Sequence, residues 1–106
     1  MKFVVLLMSD GEDKSWDEQT PEEQAVAMQR HDDFDTACKE RDGVTILAGE
    51  ALDGVPTVAR TRGGVRTVTE GPYAEAVEQL GGFYLVETPD LETLLELTEL
   101  LPPYDL

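Results

Sequence analysis

Apolar positions along the chain follow three different rhythms, and each predicts its own kind of element. Residues 3–8 form a continuous apolar run closed by Ser9-Asp10-Gly11. That pattern predicts a strand buried on both faces and central in its sheet. Residues 9–19 are polar and acidic around Trp16, as in a loop. Thr20-Pro21-Glu22-Glu23 then opens a helix: Thr20 caps it, Pro21 suits the first helical position, and Glu23 completes a capping box. The helix runs to about Arg41, where Asp42-Gly43 stops it. Ala27, Phe34 and Cys38 form its apolar stripe, with His31 on the same line. Asp32, Asp33, Asp35 and Glu40 point elsewhere, toward water.

Residues 44–48 form a second strand continuing toward Leu52, and Asp53-Gly54-Val55-Pro56 turns the chain. Residues 57–62 and 65–69 are rich in β-branched residues and are joined by Gly63-Gly64, a two-residue hairpin signal. Pairing outward from that turn sets Arg62 against Val65, Thr61 against Arg66 and Arg60 against Thr67. Period two then places Val58, Arg60, Arg62, Val65, Thr67 and Thr69 on one face. Glu70-Gly71-Pro72-Tyr73 breaks the pattern, and residues 74–80 read as a short polar turn or helical piece closed by Gly81-Gly82. Residues 83–87 are a further strand. Thr88-Pro89-Asp90 starts a second helix from about Leu91 to Leu101, with Leu91, Leu94, Leu95, Leu97 and Leu101 on its apolar face. Pro102-Pro103 ends it.

The order strand, helix, strand, hairpin, strand, helix predicts an α+β, ferredoxin-like sandwich with both helices on one face of the sheet. The other face is left for a partner or a ligand. The 106 residues suffice for one domain over 1–106. The initial apolar run is far shorter than the roughly 20 residues of a spanning helix. It also lacks a signal-peptide cleavage site. A soluble, cytoplasmic protein is the expectation.

Composition narrows the chemistry. Eight Lys and Arg stand against 23 Asp and Glu, a formal net charge of −15. Nucleic-acid binding and docking on anionic lipid both call for clustered cations, so neither is expected. The acidic surface suits a high-salt habitat, and an ordinary acidic protein from a GC-rich genome explains it equally well. One cysteine excludes an internal disulfide and a cysteine-based zinc site. No phosphate loop, dinucleotide fingerprint, metalloprotease motif or serine elbow occurs. Neither cofactor nor metal is expected.

The hairpin is the one place where charge inverts: between Gly54 and Thr69 there are three arginines and no acid. Arg60 and Arg62 share a face and suit bidentate capture of a carboxylate or phosphate; pairing with acids of this chain or of a partner is the alternative. His31, the only histidine, is a candidate general acid or base or else a core imidazole satisfied by one hydrogen bond. Glu70 and Glu75 bracket a Gly-Pro bend and could serve as acid/base groups if one is buried; turn and capping chemistry is the alternative, and Glu78 reads as solvated. Cys38 reads as a small core hydrophobe, since His31 lies two helical turns away. Trp16 and Tyr104 read as edge-packing aromatics.

Glu70-Gly71-Pro72-Tyr73, followed by residues 74–86 (AEAVEQLGGFYLV), resembles the signature of the YCII-related proteins of the DGPF subgroup. That signature reads Asp-Gly-Pro-Phe, Ala-Glu, a Lys-Glu pair, then Leu-Gly-Gly-Phe-Tyr. Glu70 stands for the Asp and Tyr73 for the Phe. The layout agrees over nearly the whole chain. The resemblance implies a dimeric α/β barrel, in which two subunits join the open faces of their sheets into a homodimer. Taken with the residues, the first reading is a small enzyme with a small-molecule pocket at the dimer, Arg60 and Arg62 binding an anionic group beside Gly71, Pro72, Tyr73 and Glu75, and Glu70 or His31 moving a proton. Some relatives are thought to be enzymes with a His–Asp pair, and others are associated with sigma factors, so a non-catalytic ligand-binding or regulatory module is the second reading. Three departures stand out. Ala59 replaces a Thr before the hairpin Arg, Val77 replaces the Lys, and the usual last strand is missing after Pro102-Pro103. That strand would flank the first one, so cover by a partner or the C-terminal tail is expected there. His31 stands where many relatives have an aromatic residue.

Overall fold

The capping box forms atom by atom as the spacing requires. In a computed structural model that describes residues 1–10, 16–52, 57–70 and 78–103, the Thr20 hydroxyl accepts from the Glu23 amide, and the Glu23 carboxylate accepts from the Thr20 amide, both at 3.1 Å. Helix α1 (Pro21–Glu40) follows, after a short 3-10 turn at Trp16–Glu18. Gly43, with φ at +80°, carries the chain out of the helix. Strands β1 (Lys2–Asp10), β2 (Thr45–Ala51), β3 (Thr57–Arg62), β4 (Val65–Glu70) and β5 (Glu78–Glu87) and helix α2 (Leu91–Thr98) complete the order. This is the expected α+β arrangement, consistent with a ferredoxin-like fold, with antiparallel sheets and two helices.

Three strands form the main sheet in the order β1-β5-β2, both outer strands antiparallel to β5. β1 is therefore an edge strand among the described residues; the apolar run by itself placed it at the centre, whereas the missing last strand implied an open edge there. Its apolar run splits by parity. Val5 and Leu7 are buried under the helices, whereas Val4 is 57% and Leu6 44% exposed on the opposite face. The core lies on the helix side: Val5, Leu7, Val44 and Val86 of the sheet region meet Phe34 and Cys38 of α1, and Leu94, Leu97 and Leu101 of the α2 region. Arg30 joins the two helices. Its guanidinium donates to the Leu101 carbonyl at 2.8 and 3.0 Å and to the Glu99 carbonyl at 3.2 Å, supplying donors to carbonyls left open where α2 ends.

Two further boundaries differ from the sequence reading. Glu78–Leu80, expected in a turn or helical piece, belongs to β5, and Gly81-Gly82 lies inside that strand. The pair does not close a turn. Pairing shifts there, since Leu7 faces Gly82 and Met8 faces Leu80, which leaves Gly81 as the extra residue of a bulge. At Gly82 an added Cβ would come within 2.9 Å of the Glu50 carbonyl, so close approach of β2 accounts for that glycine. The second helix ends at Thr98. Glu99, Leu100 and Leu101 continue as tight turns, each amide bonding the carbonyl three residues back, and Pro102 disfavours helical geometry at Leu101. Leu91 and Leu95 are exposed on α2, outside the apolar face assigned to them.

β3 and β4 pair in the expected register, Arg60 with Thr67 and Arg62 with Val65, around Gly63 and Gly64, both at positive φ. They form a separate two-stranded sheet that is not hydrogen-bonded to the other three strands. The radius of gyration is 16.2 Å, against about 13 Å for a compact domain near this length. The hairpin stands out from the body as an arm.

Candidate functional site

Helix α1 and strand β5 each contribute one polar tip to the apolar layer between them. On α1, His31 precedes Phe34 by three residues and Cys38 by seven, so the imidazole shares the buried stripe. On β5, Tyr84 has the parity of Gly82 and Val86, and these three pair with Val5, Leu7 and Phe3 of β1. That parity turns the phenol toward α1. The Tyr84 hydroxyl and His31 Nδ1 meet at 2.6 Å. Phe34 packs against the same phenol ring with centroids 5.0 Å apart, and the imidazole centroid is 5.9 Å from it.

Gly49 makes room for this arrangement. The Tyr84 ring lies over it so closely that an added Cβ would be 2.7 Å from Cδ1 and 2.9 Å from Cε1. Any side chain at that position must displace the ring. Tyr84 is thus held by a bare backbone below and Phe34 beside it, and its hydroxyl is aimed at the imidazole.

Burial sets the electrostatics. Desolvation pulls the His31 pKa below 6.5, against a weaker upward pull from the neighbouring Asp32 carboxylate. The ring is neutral at pH 7. In the tautomer with its proton on Nδ1 the ring donates to the Tyr84 oxygen and keeps Nε2 as a free acceptor, and a neutral imidazole so held can take a proton from a substrate. Cys38, on the same stripe, has its thiol pushed up to about 11, first by burial and then by Asp35. It is an unreactive core residue, as its position suggested.

The description "YCII-related domain" belongs to the family model that matches residues 1–105. The chain is a member of the YCII-related family. No curated protein matches it.

Within this YCII-related domain the sequence candidates fall into three groups. His31 sits in the layer between α1 and the sheet, bonded to Tyr84. Arg60 and Arg62 lie on β3 in the arm, whose strands pair with none of the three strands of the main sheet among the described residues. Glu70 ends β4 opposite Thr57. Its side chain, together with Gly71, Pro72, Tyr73 and Glu75, lies outside the described residues, as does Tyr104. Among the described residues no three His, Cys, Asp or Glu side chains gather as a metal site, and no helix is long and apolar enough to cross a membrane.

Tyr84 is the residue that reading the sequence missed. The signal was present. Strand parity with Val86 puts it on the core face, where a buried phenol calls for a hydrogen-bond partner, and the one imidazole of the chain lies on the facing helix stripe.

Proposed function

We propose that this YCII-related domain, of the DGPF subgroup, is a small cytoplasmic enzyme doing acid/base chemistry on a small anionic or polar organic molecule. The observation that carries this reading is the 2.6 Å contact between a neutral, half-buried imidazole and a phenol locked over Gly49. A core histidine would also be satisfied by this one bond; what supports the acid/base reading is that the partner is itself held, over Gly49 and beside Phe34. An acid/base pair does require a fixed tautomer and ring orientation. His31 takes the substrate proton and Tyr84 fixes the imidazole. Glu70 is the second proton carrier, at the end of β4. Arg60 and Arg62 bind the substrate's anionic group, with Gly71, Pro72, Tyr73 and Glu75 shaping the pocket.

The domain forms a homodimer. On the face turned away from the helices, Val4 and Leu6 of β1 are exposed, and Phe83 and Leu85 of β5 are half-buried. An apolar run whose alternate members face water supports a second copy of the chain as the covering layer.

The test is proton exchange. Small carboxylic and hydroxy acids are incubated with the protein in heavy water and followed by NMR. Deuterium uptake at a carbon next to a carbonyl, falling by about a hundredfold or more in His31→Gln with ligand affinity retained, is the expected result. Saturable binding with no exchange in any variant favours the second reading, a non-catalytic ligand-binding or regulatory module.

A further inference from the structure

The arm formed by β3 and β4 has no role in the core. Its residues 57 and 59–69 are all exposed, Val65 at 63% and Val68 at 59%, although the two strands are built from β-branched residues and arginines. An isolated two-stranded hairpin is marginal in water, and a strand pair gains independent stability by packing on a further layer. Charge says what that layer is made of. The arm carries Arg60, Arg62 and Arg66 with no acid from Thr57 to Thr69, while the remaining five basic residues share the rest of the chain with all 23 acids.

We infer that the arm reaches across a second copy of this chain and packs its Arg66–Val68 face on that copy's acidic body, Arg66 against carboxylates and Val68 against apolar surface, while Arg60 and Arg62 on the other face serve the ligand. The inference rests on the homodimer reading above and adds the arm to it. Apolar and cationic positions alternate on both faces of the hairpin: Arg60, Arg62 and Val65 on one, Arg66 and Val68 on the other. The second face matches a body that is acidic and bears exposed leucines and valines. Two copies related by a two-fold axis would each extend one arm, so both arms are satisfied by one symmetric arrangement. A nucleic acid is the less suited partner, because the phosphates that attracted three arginines would be repelled by the −15 body behind them.

Sedimentation equilibrium tests this, on the wild type, on an arm variant (R66E with V68K) and on an outer-face variant (V4K with L6K). The expected result is a wild-type dimer whose dissociation constant rises about tenfold or more in the arm variant. It also rises from about 0.1 M to about 1 M salt, as screening shortens from roughly 10 Å to 3 Å. Far-UV circular dichroism shows whether the variant is folded. A second measurement does not depend on that variant: a nitroxide on Thr61→Cys of one copy should broaden amide signals in an isotope-labelled, untagged copy. A wild-type monomer overturns both the arm and the homodimer. A dimer as tight in the folded arm variant as in wild type, with only the outer-face variant dissociating, overturns the arm alone. A dimer whose labelled, untagged copy shows no broadening overturns it too, as does duplex DNA binding that the arm variant loses while its dimer persists.

Discussion

His31 and Tyr84 show how much a single pair of positions decides. Burial holds the imidazole below 6.5, so the unfolded chain binds this proton more tightly than the folded one. The stability that depends on a neutral His31 is complete above pH 6.5 and is lost as pH falls below 6.5 toward the folded-state value. Urea midpoints measured between about pH 5 and 8 should decline on the acid side in wild type. They should be flatter in His31→Gln. Asp90 adds a separate acid limb: the Thr93 amide bonds its carboxylate and holds it below 3.8, so its contribution fades only below about that pH. Gly49→Ala places a methyl within 2.7 Å of the Tyr84 ring. The ring must tilt, and the expected readout is a changed His31 chemical shift together with loss of stability, roughly 1–3 kcal/mol as for overpacking elsewhere. The histidine was legible in the sequence because it is the only one and lies on an apolar stripe. Its partner was not, because strand parity gives a facing direction but not which helix residue stands opposite.

Elements follow the sequence where one local rule decides and depart from it where neighbours decide. The Thr20–Glu23 box is local chemistry, and Thr20→Ala should lower stability by about 1 kcal/mol in a urea titration. The arm's register is local as well, since two glycines at positive φ fix which residues pair. β1 and β5 are the opposite case. An apolar run of six residues specifies a strand but not its place in the sheet, and β1 proved to be an edge. Gly81-Gly82 carries the composition of a turn, yet a bulge and the close approach of Glu50 put the pair inside the central strand. The Arg30 contact with the end of α2 spans 71 residues and no local pattern announces it. Arg30→Ala should cost roughly 1–2 kcal/mol, more than removal of an exposed ion pair such as Arg41–Glu96. Comparative thermal or urea unfolding of the two alanine variants checks the order.

At the scale of the whole molecule, a YCII-related domain with a one-sided core presents two unfinished surfaces: the outer face of the sheet and the arm. The open face was legible in the sequence as a sandwich with helices on one side only. The arm's projection was not, because the hairpin pattern specifies pairing within the arm and nothing about its distance from the body. The −15 charge bears on both, since an acidic body with one cationic arm recognises anions through a small part of its surface. The outer-face variant V4K with L6K should therefore be monomeric by sedimentation while keeping the His31–Tyr84 bond, because that bond lies on the opposite side of the sheet. Whether the domain handles protons turns on the state of one ring, so the most direct measurement is an NMR titration of the His31 imidazole in wild type and in Tyr84→Phe. The account predicts a wild-type pKa below 6.5, with the ring neutral at pH 7, and a further downward shift when the phenol oxygen that accepts from Nδ1 is removed. A ring titrating near 6.5 in both proteins, as a free imidazole does, would contradict it.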